Sequence, residues 1–316
     1  MFGLSETSMF DYIVIGGGSA GCVLASRLSE DPGVTVGLLE AGPPDKSVLV
    51  HCPAGFAVLA QTGQINWAFE SVAQAGLNGR RSYQPRGKVL GGSSSINGLV
   101  YIRGQREDFD GWRQQGAVGW AYDDVLPYFR KAEHQMRGAD DYHGEGGPLP
   151  VSDQTEPHPL CEAFIAAAEQ AGHPRNADFN GAGQEGAGYY QTTSRRGRRV
   201  SSAVAYLNPA KRRRNLTIAT RAHVTRLVIE QGRVTGVEWT RDGQPFRSTT
   251  RGEVILSAGA IGTPQILQLS GVGPGALLQA HGVPVIRDTP GVGENLQDHL
   301  QVRMVFRANR PITFRR

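Results

Sequence analysis

"DYIVIGGGSAGCVLASRLSE" occupies residues 11–30, and the order of its residue types decides the fold. Residues 11–15 form a short β-branched and aromatic run, the composition of a buried strand. Three glycines follow, and a helical stretch then runs to about Glu30 with Val23, Leu24 and Leu28 on its apolar side. "VTVGLLE" (34–40) reads as a second buried strand. Strand, glycine turn, helix and strand make a βαβ unit. Its near-continuous apolar strands imply a parallel sheet covered on both faces.

Gly16, Gly18 and Gly21 stand in the turn as G-x-G-x-x-G. In this setting the first glycine makes the tight turn, the second admits a pyrophosphate, and the third lets helix and sheet pack closely. The helix N-terminus offers unpaired N–H groups to phosphates. Glu40, 19 residues beyond Gly21, ends the second strand where a carboxylate can accept from ribose hydroxyls. An ADP-containing cofactor is expected, and NAD and FAD share the pattern.

A second glycine- and serine-rich stretch, "GKVLGGSSSINGLVYIRG" (87–104), distinguishes the two. FAD is long, and its isoalloxazine ring lies far from the adenine half. Bare backbone there can cradle the ribityl chain and ring, with N–H groups stabilising charge on the reduced flavin. An NAD enzyme would leave this segment without a role. The aliphatic tail "INGLVYI" argues against a plain surface loop.

Further along, residues 41–120 are loop-rich, which suits a segment wrapped around a ligand. "DDVLPYFRKAEHQ" (123–135) and "PLCEAFIAAAEQAG" (159–172) read as helices, the second closed by Gly172. "LTIAT", "HVTRLVIE", "RVTGVEWT" and "GEVILSAGA", over 216–260, read as an antiparallel meander returning to a buried strand. "TPQILQLSG" (263–271) reads as a helix capped by Thr263, with Pro264 in its first turn and Gly271 closing it. Ser201 and Ser202 look like a helix cap.

The chain has 316 residues, 39% hydrophobic and 20% charged, enough for one large or two medium domains. Its 42 glycines show no period, which excludes a collagen-like repeat. The net charge of +4 resides mostly in "RRGRR" (195–199) and "KRRR" (211–214), read as solvated faces. No nucleic-acid module accompanies them. Three distant cysteines, Cys22, Cys52 and Cys161, support neither a zinc site nor a disulfide framework. No apolar run approaches the roughly 18 residues of a membrane span, and "MFGLSETSMF" lacks the signal-peptide pattern. A soluble cytoplasmic protein is expected, with Met9, directly before the first strand, as a possible start.

The ordered motifs resemble those of the glucose–methanol–choline (GMC) oxidoreductases, and the choline dehydrogenase-like branch most. "GKVLGGSSSIN" matches the family's first signature, "GAIGTPQILQLSGVG" (259–273) its second, and "GVGENLQDHL" (291–300) the passage towards the substrate domain. The likeness covers residues 10–310. It implies a Rossmann-like α/β flavin domain with a parallel sheet, an antiparallel meander insertion and an incomplete substrate-binding domain. The implied division is 10–150 and 211–298 for FAD, 151–210 for a cap region, and 299–316 for the start of the substrate domain. It places Gly16, Gly18, Gly21 and Glu40, with Ala41 beside it, on the ADP moiety. Gly91, Gly92 and Ser93 fall near the pyrophosphate and ribityl chain, and Asn97, Gly98, Leu99 and Val100 around the ring. Val224 matches the position whose backbone meets the adenine, and Ala258 closes the site.

The activity so implied is oxidation of a small-molecule alcohol by hydride transfer to flavin N5, with quinone, another acceptor or oxygen receiving the electrons. Where some members carry a histidine that binds flavin covalently, this chain has Ile96, so dissociable FAD is expected. The family's catalytic His–His or His–Asn pair lies later in a longer chain. None of the eight histidines here, His51, His134, His143, His158, His173, His223, His281 and His299, has that context. His143, His158 and His173 are expected in surface loops, and His299 follows Asp298 in a matched motif without further support as a base. No catalytic residue and no metal ligand is named. Two other activities stay open: a non-catalytic FAD-binding fragment, and a member using FAD structurally, such as a hydroxynitrile lyase. If Arg316 ends the chain, residues 299–308 lack partners, and an exposed apolar edge and aggregation are expected. A choline substrate would want an aromatic cage, for which Trp67, Trp112 and Trp120 are available.

Overall fold

The computed structural model describes residues 7–312 apart from 300, 303 and 308. Residues 1–6 and 313–316, with those three, lie outside the described residues, including parts of the N-terminal reading and of 299–316. Six strands form the central sheet: β1 (Thr7–Ile15), β2 (Val36–Glu40), β3 (Leu216–Thr220), β4 (His223–Glu230), β5 (Arg233–Arg241) and β6 (Gln244–Leu256). Their order is β3-β2-β1-β6-β5-β4. β3, β2, β1 and β6 run parallel, with Val14 opposite Leu38 on one side and Ile255 on the other. β4, β5 and the first part of β6 form the meander. "LTIAT" is corrected: it is β3, parallel to β2 at the opposite edge, because its register follows Val36–Glu40 rather than the hairpins. β1 begins before Met9, which lies inside the strand.

Side chains alternate between the two faces of a strand, so neighbouring apolar residues fill two cores. Val14 and Leu38 face helix α1 (Ser19–Leu28) and the helical segment 203–210, with Cys22, Ala25, Tyr206 and Leu207. Ile13, Ile15 and Leu39 face the other side, against Val224, Val237, Trp239 and Ile266. Trp239 stacks on Phe246 at 4.4 Å, and its indole N–H donates to Ser248 Oγ at 3.0 Å. Both faces are therefore covered, which is why these strands carry no polar alternation.

Four further helices of nine or more residues follow among the described residues: α2 (Arg106–Gln114), α3 (Tyr122–Ala132), α4 (Pro159–Gln170) and α5 (Gly259–Leu269). The loop-rich reading of 41–120 passed over α2. α3 stops three residues short of the expected end, because Glu133–Gln135 pairs in parallel with Leu149–Val151 and buries Glu133 and Gln135. α5 starts a turn before Thr263. The chain reverses at Gly259, φ +81°, immediately after β6, so Ala258 is the N-cap and Pro264 lies inside the helix. Ser201 does cap, its Oγ accepting from Val204 N–H, whereas Ser202 makes no side-chain cap. No helix among the described residues is long and apolar enough to cross a membrane. Val302, Met304, Val305 and Phe306 are exposed, and no strand forms among the described residues of 299–308.

Candidate functional site

A cleft of about 750 Å³ opens where β1, β2 and β6 end. Its floor is the glycine turn. Gly16 has φ +93° and its N–H donates to Leu39 O at 2.8 Å, which bends the chain from β1 back over β2. A Cβ on Gly21 would stand 1.9 Å from Gly16 O, so only glycine lets α1 begin so close to the turn. A Cβ on Gly18 would meet nothing nearer than 4.0 Å, and its nearest atoms, Gly92 Cα and Ser257 O, belong to residues of the cleft wall. Ser257 locks the strand ends together, its N–H and its Oγ both donating to Ile15 O.

Two helix N-termini converge here. α1 contributes Ser19 and Ala20, and α5 contributes Gly259 to Gly262. Unpaired N–H groups at such termini suit an anion. The Gly/Ser-rich segment closes the cleft from above: Gly91 N–H donates to Gly17 O at 2.7 Å, and a Cβ on Gly92 would approach Gly18 Cα to 2.7 Å. A wall of Trp67 and Phe69, stacked at 5.6 Å, and His223, 5.7 Å from Trp67, stands near Val224. Lys88 Nζ sits 4.4 Å above the Trp67 ring.

Glu40 is buried and staples this floor. Its Oε2 accepts from Gly17 N–H and its Oε1 from Gly42 N–H, each at 2.7 Å. Burial pushes its carboxyl up from 4.5 to about 7, against the lowering effect of those two donors. A raised folded-state value favours the fold below the unfolded value and loses that contribution as pH rises. The cofactor-free protein is therefore expected to lose stability through Glu40 between pH 4.5 and about 7. Melting temperatures compared with Glu40→Gln check this: the variant should lack that part of the pH slope.

Of the residues expected from sequence, Gly16, Gly18, Glu40, Ala41, Gly92, Ser93, Val224 and Ala258 line the cleft. Gly21 and Gly91 do not line it. Asn97, Gly98, Leu99 and Val100 do not line it; they continue the same segment, with Asn97, Gly98 and Val100 exposed and Leu99 buried at φ +63°. Trp67, considered only for a choline cage, lines the cleft too, as does the α5 N-terminus within the second signature. Phe69, Arg86, His223 and Gln265 were missed. Arg86, next to the glycine-rich stretch, and His223, next to Val224, had a visible signal; Phe69 and Gln265 reach the cleft through tertiary packing. Trp112 and Trp120 lie elsewhere, 6.1 Å from each other.

His143 corrects the surface-loop reading. It is 3% exposed, with Nδ1 3.0 Å from Glu133 Oε2 and Nε2 2.9 Å from Asp178 Oδ2. The two carboxylates hold its imidazolium up, from 6.5 to about 9. Arg103 donates to the same Glu133 at 2.8 Å, and Gln135 and Gln191 exchange bonds beside it. His158 is half-buried and accepts from Leu160 N–H at the start of α4, while His173 is exposed. Only His223 of the eight histidines lines the cleft; His299 is exposed and outside it. No group of three metal-ligating side chains occurs among the described residues.

A parallel α/β sheet with a glycine turn and two helix N-termini at its strand ends defines a dinucleotide-binding protein. The sequence profile of GMC oxidoreductases matches residues 10–301, and the chain belongs to that family. It is 48% identical over 304 residues to an alcohol dehydrogenase [acceptor] of Pseudomonas putida, covering 95% of this chain and 55% of that protein. Human mitochondrial choline dehydrogenase is 47% identical over 318 residues, with 98% and 54% covered. Pyridoxine 4-oxidase from Mesorbium loti superposes with a TM-score of 0.86 at 38% identity, covering 89% of this chain and 55% of that one. A formate oxidase of Aspergillus oryzae, studied for modification of its FAD, superposes at 0.84 and 31% identity, with 91% and 52% covered. The chain thus spans about half the length of the relatives it matches.

Proposed function

We propose that the chain forms the FAD-binding part of an oxidoreductase that oxidises a small-molecule alcohol to the aldehyde or ketone. The observation that carries this reading is the cleft itself, flanked by two helix N-termini and roofed by the Gly/Ser-rich segment that a shorter dinucleotide would leave idle. The residues fit the group: Gly18 leaves open space where a pyrophosphate approaches, and the N–H groups of α1 and α5 face it. Glu40, stapled to the turn, is placed to orient a ribose, and the Trp67 and Val224 wall is apolar enough for an adenine. FAD, when bound, supplies the acceptor for a hydride, at N5. The chain's own task is to hold that group and keep water from its phosphates. Residues 10–150 and 211–298 make this cofactor region in our reading, with 151–210 and 299–316 facing substrate. The names of the relatives favour choline or another simple alcohol, and the electron acceptor is left open.

Anaerobic addition of choline and of simple primary alcohols to the FAD-loaded oxidoreductase of which the chain forms the cofactor part, with an artificial acceptor in a parallel assay, tests the activity. The FAD-binding part alone, without a catalytic base, is expected to be inactive. For the oxidoreductase, bleaching of the flavin and acceptor turnover are expected; a bound flavin that no alcohol bleaches contradicts the reading. Ile96 is buried among Val50, Leu59 and Val89 and offers no nucleophile, so the flavin is expected to be dissociable. Acid precipitation should release all of it to the supernatant, and flavin retained in the pellet would overturn that expectation.

A further inference from the structure

Beside the cleft lies a second pocket, of about 520 Å³, walled by the loops at 41–43 and 63–67 and by Lys88 and Arg221. The two spaces share Ala41 and Trp67, so the indole is the partition between them. Lys88 and Arg221 line the second pocket and not the cleft, and no carboxylate lines it. Lys88 Nζ rests 4.4 Å from the Trp67 ring centre. Neither that ammonium nor the Arg221 guanidinium has a hydrogen-bond or ion-pair partner among the described residues. The carboxylate that acts on Lys88 is Glu40, whose two oxygens already accept from Gly17 and Gly42 N–H. Burial raises Glu40 to about 7, so near neutral pH it offsets Lys88 only in part.

The walls are fixed by bonds of their own. Gly42 O accepts from Arg221 N–H at 2.9 Å, and Lys88 N–H donates to Ile65 O at 2.7 Å. Asn66 is buried and fully bonded: Nδ2 donates to Ala60 O and Tyr83 Oη, and Oδ1 accepts from Ala68 and Arg86 N–H. Arg221 follows β3 directly and has φ +55°, where glycine is at ease and a long side chain is not. Such residues cluster at functional sites. Arg199 shows the contrast and corrects the solvated reading of "RRGRR". It is 2% exposed, and its guanidinium is engaged by Val50 O at 2.8 Å, Ser94 O at 3.2 Å and Asn97 Oδ1 at 2.7 Å. Arg221 is exposed and has no such acceptors.

Two cations on one cavity without an acid among its walls favour an anion there. An arginine fork takes two oxygens of a phosphate, and an ammonium takes a third as a point charge. We propose that the pocket behind Trp67 binds a phosphate group, free or carried on a small organic molecule, at Lys88 and Arg221. This site needs no flavin and lies outside the space assigned to one. The cavity is larger than a lone phosphate fills, which leaves room for an organic part beside Gln64.

The test is calorimetric titration of the FAD-loaded protein, at low ionic strength, with inorganic phosphate, glycerol 3-phosphate and glycerol. Wild type, Lys88→Gln and Arg221→Asn are compared. FAD occupies the cleft, so phosphate is kept from the helix N-termini there. Saturable one-site binding of both phosphates, and none of glycerol, is expected. Each variant should weaken it at least about tenfold, and added salt should weaken it in wild type. Equal affinities assign the site to the group alone, and tighter glycerol 3-phosphate assigns an organic carrier; both support the proposal. Arg221→Asn sits on the surface and suits a positive φ, so it decides the matter if Lys88→Gln does not fold. If the protein takes up no FAD, the same comparison on the cofactor-free protein decides, because neither varied side chain lines the cleft. No saturable phosphate binding by wild type, or binding that the variants leave unchanged, overturns the proposal.

Discussion

Gly18→Ala is expected to abolish most FAD binding without touching the fold, and Gly21→Ala to remove both. The added methyl at Gly18 meets no protein atom nearer than 4.0 Å. The cofactor-free protein should therefore melt as wild type does, within about 0.5 kcal/mol. The space it fills is the space a pyrophosphate needs, so FAD affinity should fall by at least about tenfold, or 1.4 kcal/mol. At Gly21 the methyl would lie 1.9 Å from a backbone oxygen and 2.8 Å from Ser257 Oγ. Helix α1 has to lift from the turn, at a cost of about 3 kcal/mol or more, and its N–H groups move with it. FAD titration and thermal melting of the two variants separate a ligand-contact glycine from a packing glycine.

His143→Ala is expected to be the most destabilising change away from the cleft. It leaves the Glu133 and Asp178 carboxylates facing a void, with only Arg103 to offset the buried one. Breaking such a buried pair costs about 3–5 kcal/mol, and a fall in melting temperature on the order of 10 °C follows. The pH dependence has a definite sign. His143 is raised from 6.5 to about 9, so its contribution is full below pH 6.5 and lost as pH rises through about 9. Melts from pH 6 to 10 should show wild type converging on the variant at the alkaline end. Parallel curves would mean that His143 is neutral in the fold.

The network also ties together parts of the chain far apart in sequence. Arg103 N–H donates to Asn180 Oδ1 at 2.7 Å, and Gln135 Nε2 to Gln191 Oε1 at 2.9 Å. Those bonds join the expected cofactor region, 10–150, to the expected cap region, 151–210, as one hydrogen-bonded unit.

What was legible in the sequence was local. The βαβ start needs only a glycine turn between two apolar runs. The hairpins β4–β5 and β5–β6 need only the turns at "EQGR" (230–233) and "RDGQ" (241–244). These were readable within a few residues of their signals, whereas "LTIAT" was not. Misplacements arose where two local rules competed. Thr263-Pro264 looks like a helix start, but Gly259 turns the chain first, and α5 accommodates the proline inside. His143 looked like a loop residue because Asp140, Gly144 and Gly146 surround it, whereas its partners come from residues 133 and 178. Arg199 looked like one more solvated arginine for the same reason. Its environment is made by residues 50, 94 and 97, which no window around 199 contains. Burial of a polar residue is a tertiary fact, and at these two positions nothing in the neighbouring sequence announced it.

Titration of the cofactor-free protein with FAD and, separately, with NAD tests the central claim most directly, followed by flavin absorption and quenching of tryptophan fluorescence. Stoichiometric uptake of FAD, no uptake of NAD, and loss of FAD binding in Gly18→Ala are the results expected for a flavin cleft at the ends of β1, β2 and β6. A protein that takes up NAD in preference, or that binds FAD equally well with alanine at position 18, would contradict it.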